Sequence, residues 1–301
     1  MNYEAMKVFY ITAIEKNFSK AANRLFTSQP AISRTIANIE AQVGFKLFER
    51  LKSGVKLTRE GQNLFDLIEA PFNQLERIND GLENNDFILN KSIHIGATIT
   101  ALNSYLFNLI DLLQNEIPSL KYHIVSGSSS QLLNLLRQGE VDFIFITTPF
   151  QEDNDLNIIN IKPINSILVA GMEYYPELNK KKNIKDLTQY PFILLSKHTQ
   201  FREHVDIFFK ANKININPKY EVDNVGLLIP MVEKNYGLSF LPEEMAELSI
   251  ARNKAFIVPL IEELPERYLT YVEVKNRTYS NIIEVIKNLI KLNISKNDKT
   301  P

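Results

Sequence analysis

Apolar residues near the start of the chain recur at steps of three and four. Met6, Phe9, Tyr10, Ala13 and Ile14 form one stripe within residues 4–16, which predicts an amphipathic first helix. Ala21, Ala22 and Leu25 predict a short second helix with Ser19 as its cap. Ile32, Ile36, Ile39 and Val43 mark the buried face of a third, over residues 28–43. Ser28 suits its start, because a hydroxyl accepts a hydrogen bond from a free N–H of the first turn, and Pro30 is tolerated there. The opposite face carries Gln29, Ser33, Arg34 and Asn38. Their amide and guanidinium groups can pair with base edges in a major groove; taken alone, the face suits an ordinary solvated helix equally well. Residues 45–50 and 55–58 then alternate apolar with charged positions about Ser53-Gly54. This predicts a hairpin with Arg50, Lys52 and Lys56 placed to meet phosphates. Packed helices followed by a basic hairpin make a winged helix-turn-helix.

From Thr58 to about Asn84 the spacing becomes that of a coiled-coil seam: Leu64, Ile68, Leu75, Ile78 and Leu82. Such a stripe wants a partner helix, so a dimerisation helix is expected, with packing on its own chain as the alternative. Pro71 cannot donate to the carbonyl of Leu67, which predicts a kink or break there. Residues 81–91 are polar and rich in Asn, the mark of a hinge. Beyond Ser92, strands and helices alternate. Strands are expected at 93–97, 122–125 and 141–146, with helices at 102–116 and 129–137, and the style repeats with strands at 166–170, 192–195, 220–222 and 238–241. A strand at 268–274 and a helix at 279–292 return to the first lobe. Parallel sheets covered by helices on both faces follow, in two lobes with a cleft between them.

Charge divides the chain. Residues 1–65 hold ten Lys or Arg against five Asp or Glu, while the whole chain of 301 residues has a formal net charge of -1. The basic end suits contact with a polyanion and the acidic remainder does not. There is no cysteine, which excludes disulfides and thiolate metal sites. The start, Met1 to Lys7, lacks the basic-then-apolar order of a signal peptide, and no apolar run is long enough to span a membrane. A cytoplasmic protein without membrane contact is expected.

Phe18-Ser19-Lys20-Ala21-Ala22, Ser28-Gln29-Pro30-Ala31-Ile32-Ser33, Leu47-Phe48-Glu49-Arg50 and Leu57-Thr58-Arg59-Glu60-Gly61 occur in order, and on these motifs the chain resembles the LysR-type transcriptional regulators. The resemblance implies an α/β chain with a winged helix-turn-helix DNA-binding domain at 1–58, a linker and dimerisation helix with its hinge at 59–90, and an effector-binding domain at 91–301. That last domain would have the periplasmic-binding-protein-like fold, with lobe I at about 91–163 and 267–294 and lobe II at about 164–266. The phrases 135–142 and 236–242 match the family's usual ones there. DNA-reading residues are then Ser28, Gln29, Pro30, Ser33, Arg34, Asn38, Arg50 and Lys52. Expected partners are double-stranded DNA at an inverted-repeat promoter site, a small-molecule effector, further copies of the chain as dimer and tetramer, and RNA polymerase.

Ligands in open α/β sheets bind beyond the carboxyl ends of strands, near helix N-termini. The strand ends here carry Thr98 and Thr100, Ser126 to Ser130, and Thr147 and Thr148, and in the second lobe Thr199 precedes Arg202. Hydroxyls with one cation suit a small organic anion, although each Ser or Thr singly also serves as a helix cap. The family's pocket implies Thr98, Thr100, Ser128, Ser129, Thr147, Thr199 and Arg202 as effector-binding, with Arg202 equally able to pair with Asp206. His94, His123, His198 and His204 are scattered without metal-ligand spacing, and no nucleophile stands beside a base. An enzyme, a metal site and a cofactor are therefore not expected; a purely architectural DNA-binding protein would leave the large second part idle.

Overall fold

The computed structural model describes residues 2–51, 54–83, 92–197, 199–275, 277 and 281–297. Asn2 opens α1 (Tyr3–Glu15) by accepting a hydrogen bond from the Ala5 N–H at 2.9 Å. α2 (Phe18–Arg24) is opened by Asn17, not Ser19: Asn17 Oδ1 accepts from the N–H groups of Ser19 and Lys20, so Ser19 already lies inside the helix. An amide oxygen two residues upstream captures both donors, and the hydroxyl is not needed. α3 (Gln29–Val43) begins at Ser28, whose Oγ accepts from the Ala31 N–H. It ends at Gly44, where φ is 84°, a left-handed conformation that penalises any residue with a Cβ. Phe9, Ala22, Ile32, Ile36, Ile39, Leu47 and Val55 bury one core beneath these helices.

β1 (Phe48–Leu51) and β2 (Gly54–Leu57) pair antiparallel, Phe48 opposite Leu57, and form the wing. Glu40 ties this wing to α3. Its Oε1 accepts from the N–H of Leu47 at 2.9 Å and of Phe48 at 3.3 Å, and Oε2 meets Lys46 Nζ at 2.6 Å. Burial works against the charge, but these donors outweigh it and hold the carboxyl below its ordinary pKa.

α4 (Arg59–Glu83) starts after Thr58, whose hydroxyl accepts from the Gly61 N–H and donates to the Lys46 carbonyl. The helix continues through Pro71 without interruption, so of the kink or break its sequence predicts, the break does not occur. Leu67, whose carbonyl loses its donor, is 75% exposed, so water can take the place of the missing N–H. The first half of the expected seam packs within its own chain. Leu64 and Ile68 join the core of the head, and Phe72 stacks on Tyr10 with centroids 4.7 Å apart. Leu67 and Leu75 remain exposed; α4 takes in 81–83 of the hinge expected over 81–91, and the rest of it, with the side chains at 78 and 82, lies outside the described residues.

The chain divides into two compact units, Met1–Leu89 with Arg137–Glu140, and Asn90–Leu136 with Val141–Pro301. The second contains two lobes. The first runs β3 (Ser92–Ala97), α5 (Ile99–Ala101), a π-helical turn (Leu102–Leu106), α6 (Phe107–Glu116), β4 (Lys121–Ser126), α7 (Ser129–Gln138), β5 (Phe143–Thr147) and β6 (Leu156–Pro163). The second runs β7 (Ser166–Gly171), α8 (Tyr175–Leu178), β8 (Ile193–Leu195), α9 (Gln200–Ala211), β9 (Tyr220–Val222), α10 (Leu228–Glu233), β10 (Ser239–Pro242), α11 (Glu243–Ala251) and β11 (Ala255–Ile257). β12 (Tyr268–Val274) and α12 (Asn281–Asn297) return to the first sheet.

The first sheet has the order β4-β3-β5-β12-β6. β4, β3 and β5 are parallel, whereas β12 is antiparallel to both β5 and β6. The second lobe repeats this plan. β9 and β8 are parallel, a parallel bridge from Phe192 to Leu238 brings in β10, and β7 lies antiparallel between β10 and β11. The expected all-parallel sheets are therefore mixed, because the chain crosses between lobes twice and each crossing adds a strand of reversed sense. The crossings lie side by side, with the Ile164 N–H donating to the Arg267 carbonyl at 2.8 Å. Phe143, Phe145 and Tyr271 fill the first lobe, and Phe192, Phe208, Phe209 and Phe240 the second.

Candidate functional site

Two surfaces collect the residues singled out in the sequence. On α3, Gln29, Pro30, Arg34 and Asn38 are exposed and Ser33 is half-buried, while Ile32, Ile36 and Ile39 face the core. Among the described residues no hydrogen bond or ion pair occupies the side chains of Gln29, Arg34 or Asn38. Their donors and acceptors stand free on the outer face of the helix. Ser28 is the cap of that helix, and Arg50 is exposed on β1. Lys52 lies outside the described residues. The sequence reading overlooks Phe26, which is 99% exposed with φ of 50° in the turn before α3.

The second surface is a cavity of about 600 Å³ between the lobes of the second unit. Thr98, Thr100, Ser128, Ser129, Thr147 and Thr199 all line it. Three of them also cap helices: Thr98 accepts from the Ala101 N–H, Ser128 from the Gln131 N–H and Thr199 from the Arg202 N–H. Capping fixes these hydroxyls at helix N-termini, where backbone N–H groups and the helix dipole favour negative charge.

Arg202 is not brought to the cavity. It is 2% exposed, with Nε 2.8 Å from Asp206 and Nη1 2.7 Å from both Glu221 and the Leu195 carbonyl. Gln200 and Phe201 of the same turn of α9 line the cavity, but the Arg202 side chain turns into its own lobe, where two carboxylates neutralise the guanidinium. The cation that does line the cavity is Arg267, just before β12. Its Nε donates to the Thr148 carbonyl at 2.9 Å and its Nη2 to the Thr147 hydroxyl, and its guanidinium lies 4.6 Å from the centre of the Phe201 ring. Gln131, Phe201, Asp223 and Asn224 complete a lining that sequence reading missed. Nothing local distinguishes Arg267 in the sequence, since its position depends on where the second crossing meets the end of β5.

Two family models match the chain. "LysR substrate binding domain" covers residues 89–291, and "Bacterial regulatory helix-turn-helix protein, lysR family" covers residues 3–62. Among curated relatives, the transcriptional regulator IlvY of Escherichia coli is 24% identical over 96% of this chain and 99% of its own length. The regulator EstR of Acinetobacter baylyi is 24% identical over 91% of each chain. Among solved structures, full-length CbnR complexed with its target DNA has a TM-score of 0.67 at 17% identity, covering 98% of this chain and 99% of that one. A full-length OxyR variant from Pseudomonas aeruginosa has a TM-score of 0.68 at 24% identity, covering 97% and 95%. The effector binding domain of QuiR in complex with shikimate has a TM-score of 0.61 at 16% identity, covering 68% and 97%.

Proposed function

This chain belongs to the LysR family of bacterial helix-turn-helix regulatory proteins, and from that premise we infer that it reads an inverted-repeat promoter site as a dimer and answers to a small organic anion held between its lobes. A DNA-binding transcriptional regulator with an effector domain is what its relatives are, and they are not enzymes. The single observation that carries the DNA reading is the outer face of α3. Its amide and guanidinium groups are exposed and, among the described residues, unpaired, while its apolar face is buried. A helix of that kind, opened by Ser28 and followed by a wing, can enter a major groove with its N-terminal residues against base edges.

The further steps have physical support of their own. Leu67 and Leu75 remain exposed on α4, as a helix that pairs with a second copy requires. A dimer with two-fold symmetry reads a two-fold site. The cavity collects capped hydroxyls from both lobes beside one cation, so a ligand there touches both halves and can favour one degree of closure over another. That QuiR was solved with shikimate, and CbnR with its target DNA, fits this reading. Closure would then change how dimers associate as tetramers, and through them the DNA and RNA polymerase.

Selection from a pool of random duplexes with the full chain tests the DNA reading. The expected product is an inverted repeat whose half-sites lie about one helical turn apart or a multiple of it; a pool that emerges without enriched symmetry contradicts it.

A further inference from the structure

We propose that Arg267 is the anion-binding residue of the interlobe cavity, and that it takes the carboxylate of an effector carrying a single negative charge. The inference rests on reading that cavity as the effector site. Arg267 is 3% exposed, yet among the described residues its Nη1 has no hydrogen-bond partner and no carboxylate forms an ion pair with it. A buried guanidinium with an idle nitrogen is costly unless something arrives to pair with it. Burial pulls its pKa down to about 10, still far above neutrality, so the charge persists.

The surroundings determine which side the partner comes from. Arg267 also borders a neighbouring cavity of about 380 Å³, but that one is lined by Glu243, Glu262, Glu263 and Glu266, which repel an anion. On the interlobe side hydroxyls and amides stand among apolar Ile99, Leu195, Phe201 and Val225, and among the described residues Arg267 is its one cation and Asp223 its one carboxylate. One cation balances one negative charge. A second carboxylate on the ligand would find only Asp223 among the charged groups, which disfavours dianions.

The placement also links binding to closure. The guanidinium bonds Thr147 and Thr148 at the end of β5 in the first lobe and lies on the Phe201 ring of α9 in the second. An anion drawn to Nη1 therefore sits where both lobes meet the crossing strand. Arg202 lacks that freedom, because Asp206, Glu221 and the Leu195 carbonyl already hold its guanidinium.

The test uses the full-length chain and the melting temperature, titrated with acetate, lactate and benzoate against acetamide, lactamide and benzamide at constant ionic strength. Succinate serves as the dianion. Selective binding to the folded state raises the melting temperature. At least one monocarboxylate should stabilise saturably while its amide and succinate do not. Arg267→Gln should weaken that acid by roughly tenfold or more, and Arg267→Lys should retain the preference for acid over amide at reduced affinity.

Equal shifts from acids and amides, or no shift from any acid, overturn the proposal, as does unchanged acid binding by Arg267→Gln. If Arg267→Gln does not fold, the wild-type contrast and Arg267→Lys decide, since a lysine variant that binds acids as well as wild type also overturns it. Thr98→Ala and Ser128→Ala separate the two levels. Loss of binding there with none at Arg267→Gln keeps the cavity as effector site and removes Arg267. Binding that survives all three variants removes the cavity itself.

Discussion

Arg34 and Gln29 stand on the exposed face of α3 with no partner among the described residues to satisfy them. Replacing either with Ala should reduce discrimination between the selected site and a random duplex by about 1–3 kcal/mol, measured as a ratio of dissociation constants. Equal losses on both duplexes would assign them to the phosphate backbone instead. His204 makes a different kind of prediction. It is buried with no partner for Nε2 among the described residues, and burial, helped by the charge of Arg267, pulls its pKa down to about 4 from an ordinary 6.5. The folded state therefore binds its proton less readily than the unfolded one, so its full contribution is present above pH 6.5 and erodes as pH falls toward 4. Between pH 7 and pH 5 the loss should be about 2 kcal/mol, seen as a lower denaturant midpoint. His204→Phe should flatten that dependence, and a variant with the same slope as wild type would exclude this histidine as its source.

Among the elements, the start of α4 shows how a motif becomes a joint. Thr58 caps the helix and holds the Lys46 carbonyl, while a Cβ on Gly61 would collide with the backbone carbonyl of Leu47. Backbone cannot swing aside as a flexible side chain does. Gly61→Ala should therefore lower the stability of the head by about 1–3 kcal/mol despite the better helix propensity of Ala, with DNA binding lost at a lower temperature than in wild type. Further along α4, Leu67 and Leu75 are apolar and exposed. Replacing both with Glu should dissociate the proposed dimer in sedimentation while leaving helical content unchanged. A double variant that sediments as wild type would shift the interface elsewhere. The heptad pattern read in the sequence does not separate residues that could face a second copy from those that face their own chain: Leu64 and Ile68 join the core of their own head, and Leu67, outside the pattern, is exposed.

For the whole molecule, the division of charge is the property with the clearest consequence. Residues 1–65 carry ten basic against five acidic side chains, in a chain whose formal net charge is -1. Binding through the head should displace counterions, so the logarithm of affinity should fall steadily with the logarithm of salt concentration. Arg50→Ala should reduce that slope by about one and weaken selected and random duplexes alike. An unchanged slope would place Arg50 away from phosphate.

The sequence by itself determined the elements whose logic is local. Helical spacing, a serine cap and the motif glycines and threonines identified the head and the start of α4, because each depends on residues a few positions apart. Strand runs located most of the α/β body and the strand ends that carry hydroxyls, and the family resemblance narrowed these to six, of which Thr147 lies at a strand end with no helix after it. Tertiary structure decided what distance hides. β6 went unread because it is a half-exposed edge strand, with Asn and Lys interrupting its apolar positions, and the mixed sense of the sheets depends on two chain crossings that no window of sequence contains. Arg202 and Arg267 show the difference most plainly. Both are lone arginines near a strand or helix start, yet one is neutralised by Asp206 and Glu221 while the other lies between two lobes with a nitrogen unpaired among the described residues, since a side chain's charge balance depends on residues brought close only by the fold.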